Sequence, residues 1–343
     1  MIAGLVALSA CVNDAPAEVS VIESLSQPRG LSIAGSTVCV AEAGAIGPEG
    51  SSRQRAGQVE AETGRVVCAS LADGGVVPVL EDLPFVYYPE AAVTSGAADV
   101  IMDGDDIHVL VGESFGGLSR MIVSVTEDGV LEVADLLTFA EANATAGGGL
   151  RSNPFSFVMT ADGTGFFVAD AATGTVLLVG RNGVVQTFSA VPGHEVLTGT
   201  AMGPDGDLYV ASFGQLPHPQ GTGSVVAIDS NGDHRVVVDD LTMVIDVGFA
   251  PSGDLLILEY ATASADPGGT DAYRDDSGRL LHVPSLPADS SPRVLLEDLN
   301  RPTALTVSDD AIFISISAGE LAPGLGSVVS YELDDLIGTT DSD

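Results

Sequence analysis

Apolar and polar positions alternate along this chain in short runs with a period of two, and turn residues punctuate the runs. The clearest stretch is TGTAMGPDGDLYVASF. It reads as a short strand (Thr198–Met202), a tight turn (Gly203-Pro204-Asp205-Gly206) and a β-branched and aromatic strand (Leu208–Phe213). Pro presets φ in such a turn, Asp bonds its own backbone, and Gly takes positive φ freely. The same strand–turn–strand returns at Phe155–Asp170 and Asp246–Tyr260, with weaker copies at Gly30–Glu42, Val100–Glu113 and Ala304–Ser317. Two more strands follow the pair in the first five copies, for example Gly64–Leu71 and Val76–Leu83, or Gly223–Ser230 and His234–Leu241. Four antiparallel strands returning every 40–60 residues or so predict an all-β fold, a six-bladed β-propeller of four-stranded antiparallel blades.

The sixth copy supplies only three strands, Ala304–Asp309, Ile312–Ser317 and Gly326–Leu333. Ala17–Leu25 resembles the outer strands that end in Glu-Asp-Leu, so it is expected to complete the last blade, close the ring and hide a sheet edge. The predicted organisation is a signal segment and tether over 1–16, a propeller over 17–333 and an acidic tail over 334–343. Helical periodicity is nearly absent, and Phe139–Ala146 predicts one turn at most.

Composition narrows the partners. The 48 acidic residues against 12 basic ones, all Arg, give a formal charge of −36. That field repels phosphate, which excludes nucleic acid and disfavours an anionic bilayer. It fits an acidic surface kept soluble in salt, and also a cation-attracting face. The opening MIAGLVALSAC is too short to cross a bilayer needing about 20 apolar residues, and it reads as the end of a secretory signal. Leu8-Ser9-Ala10-Cys11 matches the bacterial lipobox, so Cys11 is the expected lipidation site, with plain secretion as the alternative. Either places the protein outside the cytoplasm, touching a membrane only through the anchor. Cys39 and Cys68 fall on strands expected to be antiparallel neighbours. In an oxidising compartment they can pair, and two buried free thiols is the other reading.

Loop lengths orient the ring. Turns between first and second strands are short, whereas Ala43–Gln58, Phe213–Thr222 and Tyr260–Ser277 are long, and Asn143–Gly149 adds a rim segment. Variable loops on a rigid scaffold carry binding, so that face is the expected site. A carboxylate ends the second strand in four copies (Glu42, Glu113, Asp170 and Glu259), and Arg29, Asp99, Asn153, Thr198, Asp246 and Arg301 lie near the starts of first strands. Asp99, Asn153 and Asp246 are candidate ligands for Ca²⁺ or another divalent cation, which takes six to eight oxygens. The alternative is structural: strand-end acids cap backbone N–H groups or pair with Arg29 and Arg301. His194 and His218 lie near the mouth as candidate bases or ligands. No Gly-x-Ser-x-Gly, His-Glu-x-x-His, Cys-x-x-Cys or phosphate loop is present.

Several segments carry a family likeness. They are Asn153-Pro154-Phe155 with Val168-Ala169-Asp170-Ala171, the run Gly203–Val210, Gly221–Ser224 and Pro302–Val307. Together they resemble the ScyD/ScyE family of secreted bacterial propellers with NHL-like repeats, some encoded with the pathway for the pigment scytonemin. The likeness spans about Val21 to Leu333. It departs in the first two blades and at Gly326–Ser330, where the family usually has a basic residue. It implies fold and export rather than an activity. Three readings follow. The chain is an exported monomeric propeller that binds a small molecule, a cation or an extracytoplasmic protein at its mouth. Or it is a metal-dependent hydrolase of the gluconolactonase type, or an accessory protein of a secondary-metabolite pathway.

Overall fold

The computed structural model describes residues 16–47, 51–90, 93–144, 150–194, 196–215, 217–262, 273–284, 286, 291–317 and 323–338. Cys11 and the signal segment lie outside them, as do parts of the long loops and residues 339–343 of the expected tail. Six antiparallel sheets stand as blades around a central channel. Each blade's first strand abuts the next one, and the last, Pro302–Val307, abuts the first, Pro28–Ala34, so the ring is closed.

Burial explains the strand chemistry. Second strands sit in mid-blade, covered on both faces, and read as continuous apolar runs such as Leu255–Glu259, in which every residue is buried. Outer strands face water and keep only a few inward residues, as in His234–Leu241. They share a recurrent hook, at the strand end in three blades and midway along Val76–Tyr88 in blade one. Ser24, Asp82, Asp240 and Asp298 take φ of 57–62°, and the next residue in each case (Leu25, Leu83, Leu241 or Leu299) is buried. Short polar side chains tolerate that left-handed backbone, which accounts for the repeated Glu-Asp-Leu ending.

The N-terminal strand Val19–Leu25 does pair with Gly326–Glu332 and completes the sixth blade. Ile22 and Leu25 are 2% and 1% exposed, packed with Val38 and Val40 of blade one and Phe313 and Val328 of blade six. The Tyr331 hydroxyl donates to the Glu18 carboxylate at 2.5 Å across the same seam.

Four readings need correction or extension. The first blade is larger than a four-stranded unit: its third and fourth strands run Gln58–Ser70 and Val76–Tyr88, and Arg53–Arg55 and Val93–Ser95 add to them. The pair continues past a bulge because Ala61, Phe85 and Val86 find a buried face there. A helix at Leu136–Ala142 replaces the single turn, started by Asp135, whose side chain accepts from the Thr138 amide. A second short helix, Leu333–Ile337, occupies the start of the predicted tail because Leu333 and Leu336 are buried against blade six. Cys39 and Cys68, opposite each other in register, form a disulfide within blade one, so the free-thiol reading falls.

Candidate functional site

Every first strand slips register near its start, between Pro28 and Leu31 in blade one and at the equivalent step in the others. The slip brings Gly30, Asp99, Ser156, Gly199, Asp246 and Ala304 to one level of a channel cavity of about 430 Å³. Gly-Asp-Ser is thus followed, half a turn on, by Gly-Asp-Ala. A Cβ built on Gly30 would stand 1.8 Å from Asp99 Oδ1, and one on Gly199 would stand 1.9 Å from Asp246 Oδ1. Glycine is needed at both places for the close approach of a neighbour's carboxylate.

Each aspartate ties its blade to the next. Asp99 accepts from the Val100 amide (2.8 Å), the Ser156 hydroxyl (2.9 Å) and the Phe157 amide (3.0 Å). Asp246 accepts from the Val247 amide (2.9 Å) and the Leu305 amide (2.8 Å). First strands form no ladder with one another, so these carboxylates satisfy N–H groups that would otherwise face the channel. Burial pushes the Asp99 carboxyl up to about 7 despite its donors. Burial, and then the Asp99 charge, raise Asp246 well above the ordinary carboxylate range.

Above this level lies the mouth. The carbonyls of Gln27, Gly96, Asn153, Val196, Met243 and Arg301, one per blade, accept the N–H just past each second strand at 2.8–3.1 Å. Val196 holds φ of 60°, strained for a β-branched residue and located on the cleft wall. In blades four and five the belt carries Phe213 and Tyr260, which pack with His218 and Tyr273. Tyr260 and Tyr273 meet edge to face at 5.2 Å, and Phe213 and His218 at 4.8 Å. These rings line a cavity of about 190 Å³ together with Gln27, Arg29, Thr94, Asn153 and Phe155. A second cavity of about 300 Å³ shares Arg29, Thr94, Asn153 and Phe155 and runs on to Tyr88 and Glu113. The two make one cleft across the mouth. Arg29, Phe155 and Ile245 also line the channel beneath it.

The structure distributes the candidate residues among different tasks. Glu42 and Glu259 are wholly buried. Each accepts a backbone N–H (from Ser26 and Thr242) and pairs with an arginine on the adjacent strand, Arg65 and Arg279, rather than with Arg29 or Arg301. Asp170 accepts from the amides of Asn153, Ala172 and Thr173 and so holds a turn. Glu113 lies two residues beyond its strand, pairs with Arg120 and faces the cleft. Thr198 donates to the Val244 carbonyl at 2.8 Å, and Arg301 meets Asp275. His218 lines the cleft with Nδ1 against the Gly214 carbonyl, whereas His194 Nδ1 is 2.8 Å from the Ser224 hydroxyl. Arg29 donates to the Thr94 carbonyl and hydroxyl.

The three candidate metal ligands do not share a level. Asp99 and Asp246 line the channel, while Asn153 lines the mouth cleft with Oδ1 against the Glu113 amide. Among the described residues no group of three or more His, Cys, Asp or Glu is placed to hold a metal ion. With their oxygens already accepting interblade donors, the two aspartates fit a structural clamp rather than a six-to-eight-oxygen shell. Phe213, Tyr260, Tyr273 and Tyr88 are the cleft residues that sequence reasoning passed over. Phe213 and Tyr260 stand at the same repeat position in adjacent blades, which was the available signal.

No family model matches this chain, and no curated protein does. Solved structures do match in fold. An aldose sugar dehydrogenase from Streptomyces coelicolor in its PQQ-bound form superposes with a TM-score of 0.59 at 14% identity, over 93% of this chain and 99% of its own. A candidate gluconolactonase gives 0.55 at 12%, over 93% and 92%. The virginiamycin B lyase of Staphylococcus aureus, as an inactive variant with quinupristin, gives 0.53 at 11%, over 92% and 98%. At such identities the likeness is one of fold, the six-bladed propeller. Among the described residues no helix is long and apolar enough to cross a membrane.

Proposed function

We propose that this chain is an exported propeller that binds a small, ring-bearing organic molecule in the mouth cleft. The carrying observation is the aromatic wall of Phe213, Tyr260 and Tyr273 facing the polar edge made by Gln27, Thr94 and Asn153 within one cavity. Such sites bury a ligand on apolar walls and orient it with a few polar groups. The fold-mates with PQQ and quinupristin hold ring compounds too, which supports the class through shared scaffold only. A thermal-shift screen of ring compounds on the full chain tests the proposal. Hits are expected to lose about tenfold or more in affinity in Tyr273→Ala, since an aromatic contact of this kind contributes about 1 kcal/mol beyond its buried area. Tyr273 is only half-buried, so the variant is expected to fold. Hits that bind the variant unchanged would place the ligand elsewhere.

Export rests on the Cys39–Cys68 disulfide, which persists in oxidising compartments, and on the lipobox at Cys11. The ScyD/ScyE resemblance points the same way. In a bacterial host the full-length protein is expected in the membrane fraction, labelled by palmitate analogues, and Cys11→Ser is expected to release it. Unlabelled, soluble wild type would leave the motif accidental.

A further inference from the structure

The two ends of the mouth cleft differ in chemistry, and this names a ligand class for the site proposed above, on which the inference rests. At one end the rings of Phe213, His218, Tyr260 and Tyr273 lie 4.8–6.2 Å apart, centroid to centroid. Those are mutual packing distances, so no cation fits between the rings; they form a wall to stack against rather than a box. At the other end stands the Glu113 carboxylate, 37% exposed, with Arg120 Nη2 at 2.9 Å. Tyr88 lies beside it, and burial followed by the Glu113 charge raise the Tyr88 phenol, keeping it a neutral donor. A carboxylate offers about four lone-pair positions, more than these two donors fill. Between the ends, Arg29 donates to Thr94 and shapes the floor of the cleft. At long range, the formal charge of −36 draws cations toward the protein and repels anions.

We propose that the cleft takes an elongated cationic ring compound of the arylalkylamine class, its ring on the Tyr260–Tyr273 wall and its ammonium on Glu113. The spacer between ring and amine crosses Phe155 and Thr94. A charge-assisted hydrogen bond is roughly twice as strong as a neutral one, so the amine is expected to outbind the matching alcohol by about tenfold.

Calorimetric titration of the full-length protein with benzylamine, phenethylamine and phenylbutylamine, beside the matching alcohols and carboxylates, tests this. Amines are expected to bind tightest and carboxylates weakest. Affinity is expected to rise with spacer length until the cleft is spanned, and to fall with added NaCl. Glu113→Gln is expected to bring the amines down to the alcohols while leaving the alcohols unchanged. Glu113→Asp is expected to keep the preference and move the optimum to a longer spacer. Equal binding of amines and alcohols by wild type overturns the cationic class and leaves the ring site standing, whatever the variants do. A preference that survives Glu113→Gln also overturns the assignment. If no ring compound binds wild type at all, the mouth-cleft reading falls with it.

Discussion

Removing residues 17–25 is expected to lower the melting temperature by roughly 10 °C or more, or to leave the protein aggregated. The segment contributes one strand to the last blade, but its side chains reach two blades. Ile22 and Leu25 are almost wholly buried among residues of blades one and six. Truncating each such aliphatic costs about 2–5 kcal/mol, so the pair alone approaches the 5–15 kcal/mol or so of a whole domain's net stability. The deletion also bares the edge of Gly326–Glu332, whose unpaired N–H and C=O groups can template pairing between molecules. Ile22→Ala with Leu25→Ala separates the two effects, because it keeps the strand and removes only the core contact. Circular dichroism melts and light scattering read both. A deletion with wild-type melting would mean that the ring does not depend on this strand.

How much of this was readable from sequence depended on how local the cause was. The six strand pairs were legible because each is bounded by a turn whose residues act locally, as Gly203–Gly206 shows. Ring closure was legible from the outer-strand ending shared by Ala17–Leu25 and the Glu-Asp-Leu segments, which the backbone explains through one left-handed residue before a buried leucine. The first-blade extension was not. Pro84 ends a strand in most contexts, and here it sits next to a bulge at Glu62–Gly64, so the pairing resumes as Pro84-Phe85-Val86. That depends on a partner more than twenty residues away, which no short window contains.

The candidate site was legible in its parts and misread in its grouping. Asp99 and Asp246 read, with Asn153, as metal ligands because each places an oxygen-bearing side chain near the start of a first strand. Their partners are backbone amides of the following blades and the space left by Gly30 and Gly199, all remote in sequence. Glu42, Asp170 and Glu259 align with one another in register, whereas blade two has Val111 at that position, leaving Glu113 two residues further out. A one-dimensional alignment by residue type merged the four. Two residues of offset separate a buried cap from a cleft-facing carboxylate.

The channel aspartates also set a pH dependence opposite to that of most acidic groups. Asp99 is raised from 3.8 to about 7, chiefly by burial, and Asp246 is raised well above the ordinary carboxylate range, by burial and then by the Asp99 charge. An acid whose folded pKa lies above its unfolded one binds its proton more tightly in the native state. Its contribution is fully present below pH 3.8 and is lost as pH rises through about 7. Stability is therefore expected to fall between about pH 4 and pH 7, by up to about 4 kcal/mol through Asp99 if the channel stays dry, and by less with water in the channel. Surface carboxylates such as Asp162 and Asp229 are lowered by hydrogen bonds, so they act oppositely and lose their contribution only in stronger acid. General repulsion within the −36 surface also relaxes as pH falls, so the melts belong in high salt, which screens it. Asp246→Asn isolates the specific part. A protonated carboxyl can still accept from both Val247 and Leu305 while pointing its proton into the channel, but an amide nitrogen cannot accept at all. The variant should thus be less stable than wild type near pH 4, by about 1–3 kcal/mol for one unpaired buried amide. Its curve should then fall less steeply, so that the two converge or cross by pH 8. Melting curves that stay parallel from pH 4 to pH 8 would show that Asp246 does not titrate in this window and is a charged clamp throughout it.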